Sequence, residues 1–102
     1  MLEREIEKQL VTQTKKRSGL AWKFTSPGTL GVPDRIILLP EGRIGFVEVK
    51  QPGCVARPIQ AQRIRQLERL GFTALVLDDP ADIETVLDRI QDPEGPRGGV
   101  GR

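Results

Sequence analysis

The sequence predicts an α/β fold in the order α-β-β-β-α-β-α. Three observations lead there: three segments repeat apolar residues at helical spacing, four short aliphatic runs have strand length, and glycine or proline punctuates the joins. A chain of 102 residues, 37% hydrophobic, suits one small soluble domain over residues 1–92 followed by a flexible tail over 93–102. A core of this size buries only about 60–70% of the surface the unfolded chain exposes, so partner contacts or a dimer would help it.

Leu2, Ile6, Leu10 and Gln13 share one stripe and Gly19 follows as a stop, which predicts an amphipathic helix over 2–17. Leu20 to Thr25 reads as a short strand, and Ser26 to Pro33 as turns without periodicity. Asp34 to Leu39 and Ile44 to Lys50 are strand-like runs joined by Pro40-Glu-Gly-Arg43, which predicts a hairpin. Pro52-Gly53 breaks the pattern. From Pro58, residues Ile59, Ile64, Leu67 and Leu70 give a second helix that Gly71 ends. Phe72 to Leu77 is a strand of buried type, and Pro80 to Gln91 an acidic helix with Ile83, Val86, Leu87 and Ile90 inward. The last ten residues hold four Gly and two Pro, and this composition predicts mobility.

What is missing narrows the chemistry. The chain has no His, no Tyr, one Cys (Cys54) and two Ser (Ser18 and Ser26). That excludes a Ser-His-Asp or Cys-His unit, an imidazole base, a Cys/His zinc site and an internal disulfide. Carboxylate, lysine and arginine chemistry remains, and working carboxylates usually hold a hard divalent cation. The charged start MLEREIEKQL and the shortness of the aliphatic runs predict neither a signal peptide nor a membrane span, and a lone cysteine fits a reducing cytoplasm. Cys54, with no base or second thiol near it in sequence, reads as a spectator.

Charge is unevenly spread. Residues 1–23 carry 6 basic and 3 acidic groups and residues 50–69 carry 5 and 1, whereas residues 70–92 carry 1 and 6. Local basic segments of this kind suit a face that meets phosphates, although ordinary solvated faces would look the same.

The candidate chemistry centres on Glu48-Val49-Lys50. Alternation along a strand puts Glu48 and Lys50 on one face and Val49 on the other. A carboxylate to hold a cation beside a lysine to position water and offset phosphate charge suits metal-assisted hydrolysis. The triplet alone is weak, since roughly 0.7 acidic-x-Lys triplets are expected by chance in such a composition. Asp34, set by Pro33 at the start of the partner strand, can converge on the same ion. A solvated hairpin face with a cross-strand ion pair would give the same pattern.

In order along the chain stand Glu3, Lys23-Phe-Thr-Ser-Pro-Gly28, Gly31-Val-Pro-Asp-Arg35, Phe46-Val-Glu-Val-Lys50, and Gln60 eleven residues before Gly71. This series resembles the VRR-NUC (virus-type replication-repair nuclease) family of the PD-(D/E)XK superfamily, over about residues 3–90. The resemblance implies a restriction-endonuclease-like α-β-β-β-α-β core with an extra C-terminal helix, a mixed sheet flanked by helices, and phosphodiester hydrolysis dependent on Mg²⁺ or Mn²⁺. Stand-alone relatives from phages and bacteria are dimeric, structure-selective endonucleases that also act on four-way junctions. It therefore implies branched or duplex DNA as partner, a homodimer, and neither membrane nor organic cofactor. Carried over by position, Asp34 and Glu48 would be metal carboxylates, Lys50 the catalytic lysine, Gln60 the motif glutamine, Glu3 the acid of the first helix, and the Val49 carbonyl a further metal ligand. One departure is Ala56-Arg57-Pro58, where many relatives place a serine, so no capping hydroxyl precedes the second helix. Arg57 then reads either as a tolerated loop residue or as a DNA contact.

At about 100° per residue, Glu3 borders the apolar stripe of the first helix, Glu5 faces solvent and Glu7 lies between. Glu3 can thus reach a site or simply favour the helix dipole. Gln60 lies on the inward stripe of the second helix, and an inward amide needs partners. Arg63 borders that stripe, while Arg65 and Arg69 face away. Lys15, Lys16, Arg17 and Arg63 are the candidate DNA-backbone contacts. Trp22 could stack on a splayed base, or serve as core or dimer contact. A basic DNA-binding module without catalysis, and a nicking or exonucleolytic enzyme, are the rival readings.

Overall fold

The computed structural model describes residues 1–95. Its elements run α1 (Glu3–Lys16), β1 (Leu20–Lys23), β2 (Arg35–Leu39), β3 (Arg43–Val49), α2 (Pro58–Arg69), β4 (Thr73–Leu77) and α3 (Ile83–Gln91), with short 3₁₀ turns at Pro40–Gly42 and Pro80–Asp82. The expected order holds. The third helix starts three residues later than Pro80, because Asp79 accepts the Ala81 N–H at 2.9 Å and closes a 3₁₀ turn first. The Gly/Pro-rich tail lies, from residue 96 on, outside the described residues.

The strands form one mixed sheet in the order β1-β2-β3-β4. β1 with β2 and β2 with β3 are antiparallel, and β3 with β4 is parallel across the α2 connection. The hairpin between β2 and β3 closes through Pro40–Gly42, where Glu41 and Gly42 both take positive φ. Alternation sorts the two sheet faces. Ile37, Leu39, Val47, Val49, Leu75 and Leu77 pack with Ile6 and Leu10 of α1 and with the apolar side of α3. On the other face Ala74 and Val76 take Ile64 and Leu67 of α2, flanked by Phe46. Gly45 lets α3 approach β3: a Cβ there would run into the Ile90 side chain.

Trp22 is not a core residue. It is 57% exposed, and with Leu20 and Ile44 it marks a part of the α2-side sheet face that is open to solvent. No helix is long and apolar enough to cross a membrane among the described residues.

Candidate active site

The site forms where the hairpin and the first turn of α2 meet. One step beyond the Arg35–Val47 pair, Asp34 stands across the hairpin from Glu48. Its Oδ2 accepts the Val49 N–H at 2.9 Å, which fixes the carboxylate at the end of the sheet. Glu48 lies on β3 between β2 and β4, the interior of the sheet, and is only 2% exposed. Val49 turns its side chain into the α1/α3 core, as strand alternation requires.

Glu48 is held asymmetrically. Its Oε2 accepts from Gln60 Nε2 at 2.8 Å and lies 3.6 Å from Lys50 Nζ. Its Oε1 is buried without a hydrogen-bond partner. The inward amide of Gln60 is thereby satisfied at both ends, because its Oε1 accepts the Arg57 N–H at 2.9 Å. Gln60 supplies the returning half of a capping box from the third helical position, meeting the N-cap N–H rather than the helical N–H that a capping hydroxyl would take. Arg57 supplies that N–H from the loop.

Burial pushes the Glu48 carboxyl up to about 7, and the negative Asp34 adds to the rise, while Lys50 opposes it. Glu3 contributes repulsion too, so the start of α1 faces the same acid. A buried carboxylate atom without a donor, a second acid opposite and a lysine alongside fit a hard cation bound through oxygen. No trio of acidic or cysteine side chains is drawn to chelating distance among the described residues. Mg²⁺-type ions commonly use one or two carboxylates and fill the rest with water and substrate phosphate, so two acids suffice.

The structure brings together Asp34, Glu48, Lys50 and Gln60, with Val49 between them and Glu3 within electrostatic reach. It does not bring together the four expected backbone contacts. Arg17 ties α1 to α3: its guanidinium pairs with Glu84 at 2.8 Å and Asp88 at 2.9 Å and donates to Gln91 at 2.9 Å. Arg63 donates to the Leu30 carbonyl at 2.8 Å and to Gln66 at 3.0 Å, fastening the loop before β2 onto α2. Both are engaged inside the fold, whereas Lys15 and Lys16 remain exposed on α1. Glu7 proves to be a tie as well, accepting from Arg35 Nε at 2.7 Å and pairing with Lys23 at 3.4 Å. Cys54 is exposed and free, without a partner that would give it chemistry.

This is the arrangement of a three-layered nuclease fold, one mixed sheet between helices, with a carboxylate, carboxylate and lysine grouping at one sheet end. Two solved structures share the fold: a "VRR_NUC domain" at TM-score 0.79 and 25% identity, covering 84% of this chain and 94% of its own, and a "VRR_NUC domain protein" at TM-score 0.72 and 21% identity, covering 100% and 97%. In sequence the chain is 46% identical over 85 residues to "Putative nuclease p44" of Acyrthosiphon pisum secondary endosymbiont phage 1, spanning 83% of this chain and 90% of the relative. No family model matches the sequence. The relative and the solved structures together show that the chain belongs to the VRR-NUC family of nucleases.

Proposed function

We propose that this chain is a divalent-metal-dependent DNA endonuclease, acting on branched DNA such as four-way junctions as a homodimer, with Asp34, Glu48 and Lys50 as its hydrolytic core. The observation that carries the reading is the buried Glu48 with one carboxylate oxygen bonded to Gln60 and the other without a partner. A buried acceptor with no donor is costly unless something binds it.

Asp34 and Glu48 would hold Mg²⁺ or Mn²⁺, with the Val49 carbonyl and Glu3 as further ligands. Such a cation, when bound, polarises a phosphoryl oxygen and acidifies water. Gln60 is the positioning residue: by engaging Oε2 it leaves Oε1 for the site. Lys50, on the same face as Glu48, offsets phosphate charge and orients the attacking water. Lys15 and Lys16 are available to DNA; Arg17 and Arg63 act there only if they leave their internal partners.

A second copy would cover the open sheet face at Leu20, Trp22 and Ile44, whose exposed apolar side chains suit an isologous seam. One site cuts one strand, so symmetric incision of two strands requires two copies. A bacterial cytoplasm is the compartment that fits, and the relative at 46% identity comes from a phage.

The test is a panel of labelled branched and linear DNAs with Mg²⁺ or Mn²⁺, wild type beside Glu48→Gln. Cleavage by the wild type alone, with a preference for branched substrates, supports the reading. Binding without divalent-dependent cleavage would reduce it to a DNA-binding module, and cleavage by Glu48→Gln at the wild-type rate would overturn the site. Light scattering reads the dimer, and Trp22→Glu should shift it to monomer.

A further inference from the structure

An open groove of about 440 Å³ runs between α1 and the paired ends of β1 and β2. Five of the residues lining it are basic, Arg4, Lys8, Lys15, Lys23 and Arg35, against the single acid Glu7. That acid is covered and neutralised from within, bonded to Arg35 and paired with Lys23. Arg4, Lys8 and Lys15 project along one side of α1, and among the described residues none has an ion pair. Arg4 and Lys8, four residues apart, are like charges on neighbouring turns that repel each other unless an anion lies between them, and Lys15, two turns further on, continues the same side.

The groove starts at the same end of the sheet as the candidate active site, although the two share no lining residue and Arg35, by alternation, faces α1 while Asp34 and Glu48 take the other side. Arg4 follows Glu3, whose charge reaches Glu48, and Arg35 follows Asp34. From Arg4 to Lys15 the helix rises about 16 Å, the axial length of roughly five phosphates on one strand at ~3.4 Å each. The remaining lining residues, Val11 and Thr12, offer no aromatic surface for stacking bases. Trp22, next to Lys23 on β1, points to the other face of the sheet and is exposed there. A basic channel without a stacking platform suits paired DNA met along its backbone rather than an unpaired strand.

We infer that this groove, through Arg4, Lys8 and Lys15 with Lys23 at its rim, is the track that seats the phosphate backbone of a duplex DNA arm leading to the cleavage site. The inference rests on the nuclease reading for the word cleavage, and its test is kept separate by measuring binding in chelator, where no DNA is cut. Affinity for a short duplex is followed against salt for the wild type and for Arg4→Gln/Lys8→Gln/Lys15→Gln. Glutamine keeps helix propensity, and all three positions are exposed, so the fold is kept; circular dichroism verifies this. A control, Arg43→Gln/Arg65→Gln/Arg69→Gln, removes the same charge from exposed positions outside the groove.

Three lost phosphate contacts should lower the salt slope by about 2.7. Between roughly 50 and 200 mM salt the wild type should then lose about 40-fold more affinity than the groove variant, while the control keeps the wild-type slope. Equal slopes for wild type and groove variant would overturn the track, as would an equal fall in the control. A larger loss for single-stranded than for duplex DNA would overturn the duplex assignment. Failure of cleavage with a preserved slope change would sink the nuclease reading and leave the track standing.

Discussion

Substituting Glu48 by glutamine should make the metal-free protein more stable in alkali than the wild type. In the unfolded chain a glutamate releases its proton near the ordinary 4.5, whereas burial beside Asp34 holds the native Glu48 proton to about 7. Between those values the native state binds more protons than the unfolded state, so stability falls as pH rises and the loss is complete above about 7. A shift of that size corresponds to about 3 kcal/mol at ~1.36 kcal/mol per unit, which for a domain of this size is upward of about 10 °C in Tm. Glutamine resembles the protonated acid and keeps the acceptor for Gln60 Nε2. Thermal unfolding in chelator should therefore give nearly equal midpoints for wild type and Glu48→Gln near pH 4, below both values, and a higher midpoint for the variant at pH 8. Titrating groups that do not face Glu48 contribute alike to both proteins and cancel in the difference. Adding Mg²⁺ at pH 8 should raise the wild-type midpoint, since a ligand that binds only the native state stabilises it, and leave the variant unmoved. A wild-type-minus-variant difference that stays constant from pH 4 to pH 8 would refute the buried-charge account of Glu48.

Asp34→Asn should abolish cleavage while circular dichroism and duplex affinity hold, because the amide oxygen can still accept the Val49 N–H. Lys50→Ala should lower kcat with smaller change in the Mg²⁺ midpoint, read from a metal titration of cleavage. Gln60→Ala removes the partner of Glu48 Oε2 and of the Arg57 N–H, and should destabilise by about 1–3 kcal/mol in urea unfolding. Gly45→Ala drives a methyl into Ile90 at the β3–α3 contact and should cost about 1–3 kcal/mol in the same assay, with cleavage per folded molecule unchanged. Arg17→Ala should cost no more than about 1 kcal/mol, because its partners Glu84 and Asp88 are exposed, and should leave the salt slope of DNA binding at the wild-type value.

How far the sequence could be read depended on the range over which each feature is decided. The helices and hairpin follow from spacings of two and between three and four, which are local, and so does the common side of Glu48 and Lys50. The inward Gln60 was legible from its stripe, and its third-position glutamine anticipates the back-reach to Arg57. The internal partners of Arg17 and Arg63 were not legible because they lie 74, 67 and 33 residues away, at distances no periodicity reports. Trp22 was open for a related reason. Alternation fixes which face a strand residue takes, but coverage of that face depends on where α2 lies across the sheet. Arg4 and Lys8 share a helix side with Lys15 by spacing alone, but only the packing of α1 beside β1 and β2 brings that side against Lys23 and Arg35.

Electrostatics connects the site with the groove. A phosphodiester approaching Asp34 and Glu48 meets like charge, and Lys50 alone offsets only one of the two, the more so as it already lies beside Glu48. The Glu48 carboxyl is itself near the point of holding its proton, so the acids as they stand neither attract the substrate nor stay fully charged without help. A groove with four net positive charges, lined by the chain neighbours of Glu3 and Asp34, would supply attraction for a substrate entering there. It cannot neutralise the acids themselves, because Arg35 and Lys23 are turned to Glu7. On the proposed reading the two tasks divide: surface cations on α1 would draw and align the backbone over several phosphates, and a cation held by Asp34 and Glu48 would make the acid pair tolerable to the scissile one. Removing the groove charges should consequently weaken DNA association steeply with salt while the Mg²⁺-induced rise in Tm persists. Glu48→Gln should do the reverse. If both variants lost both properties together, the site and the groove would have to be one electrostatic unit, and the division argued from Glu7 would fail.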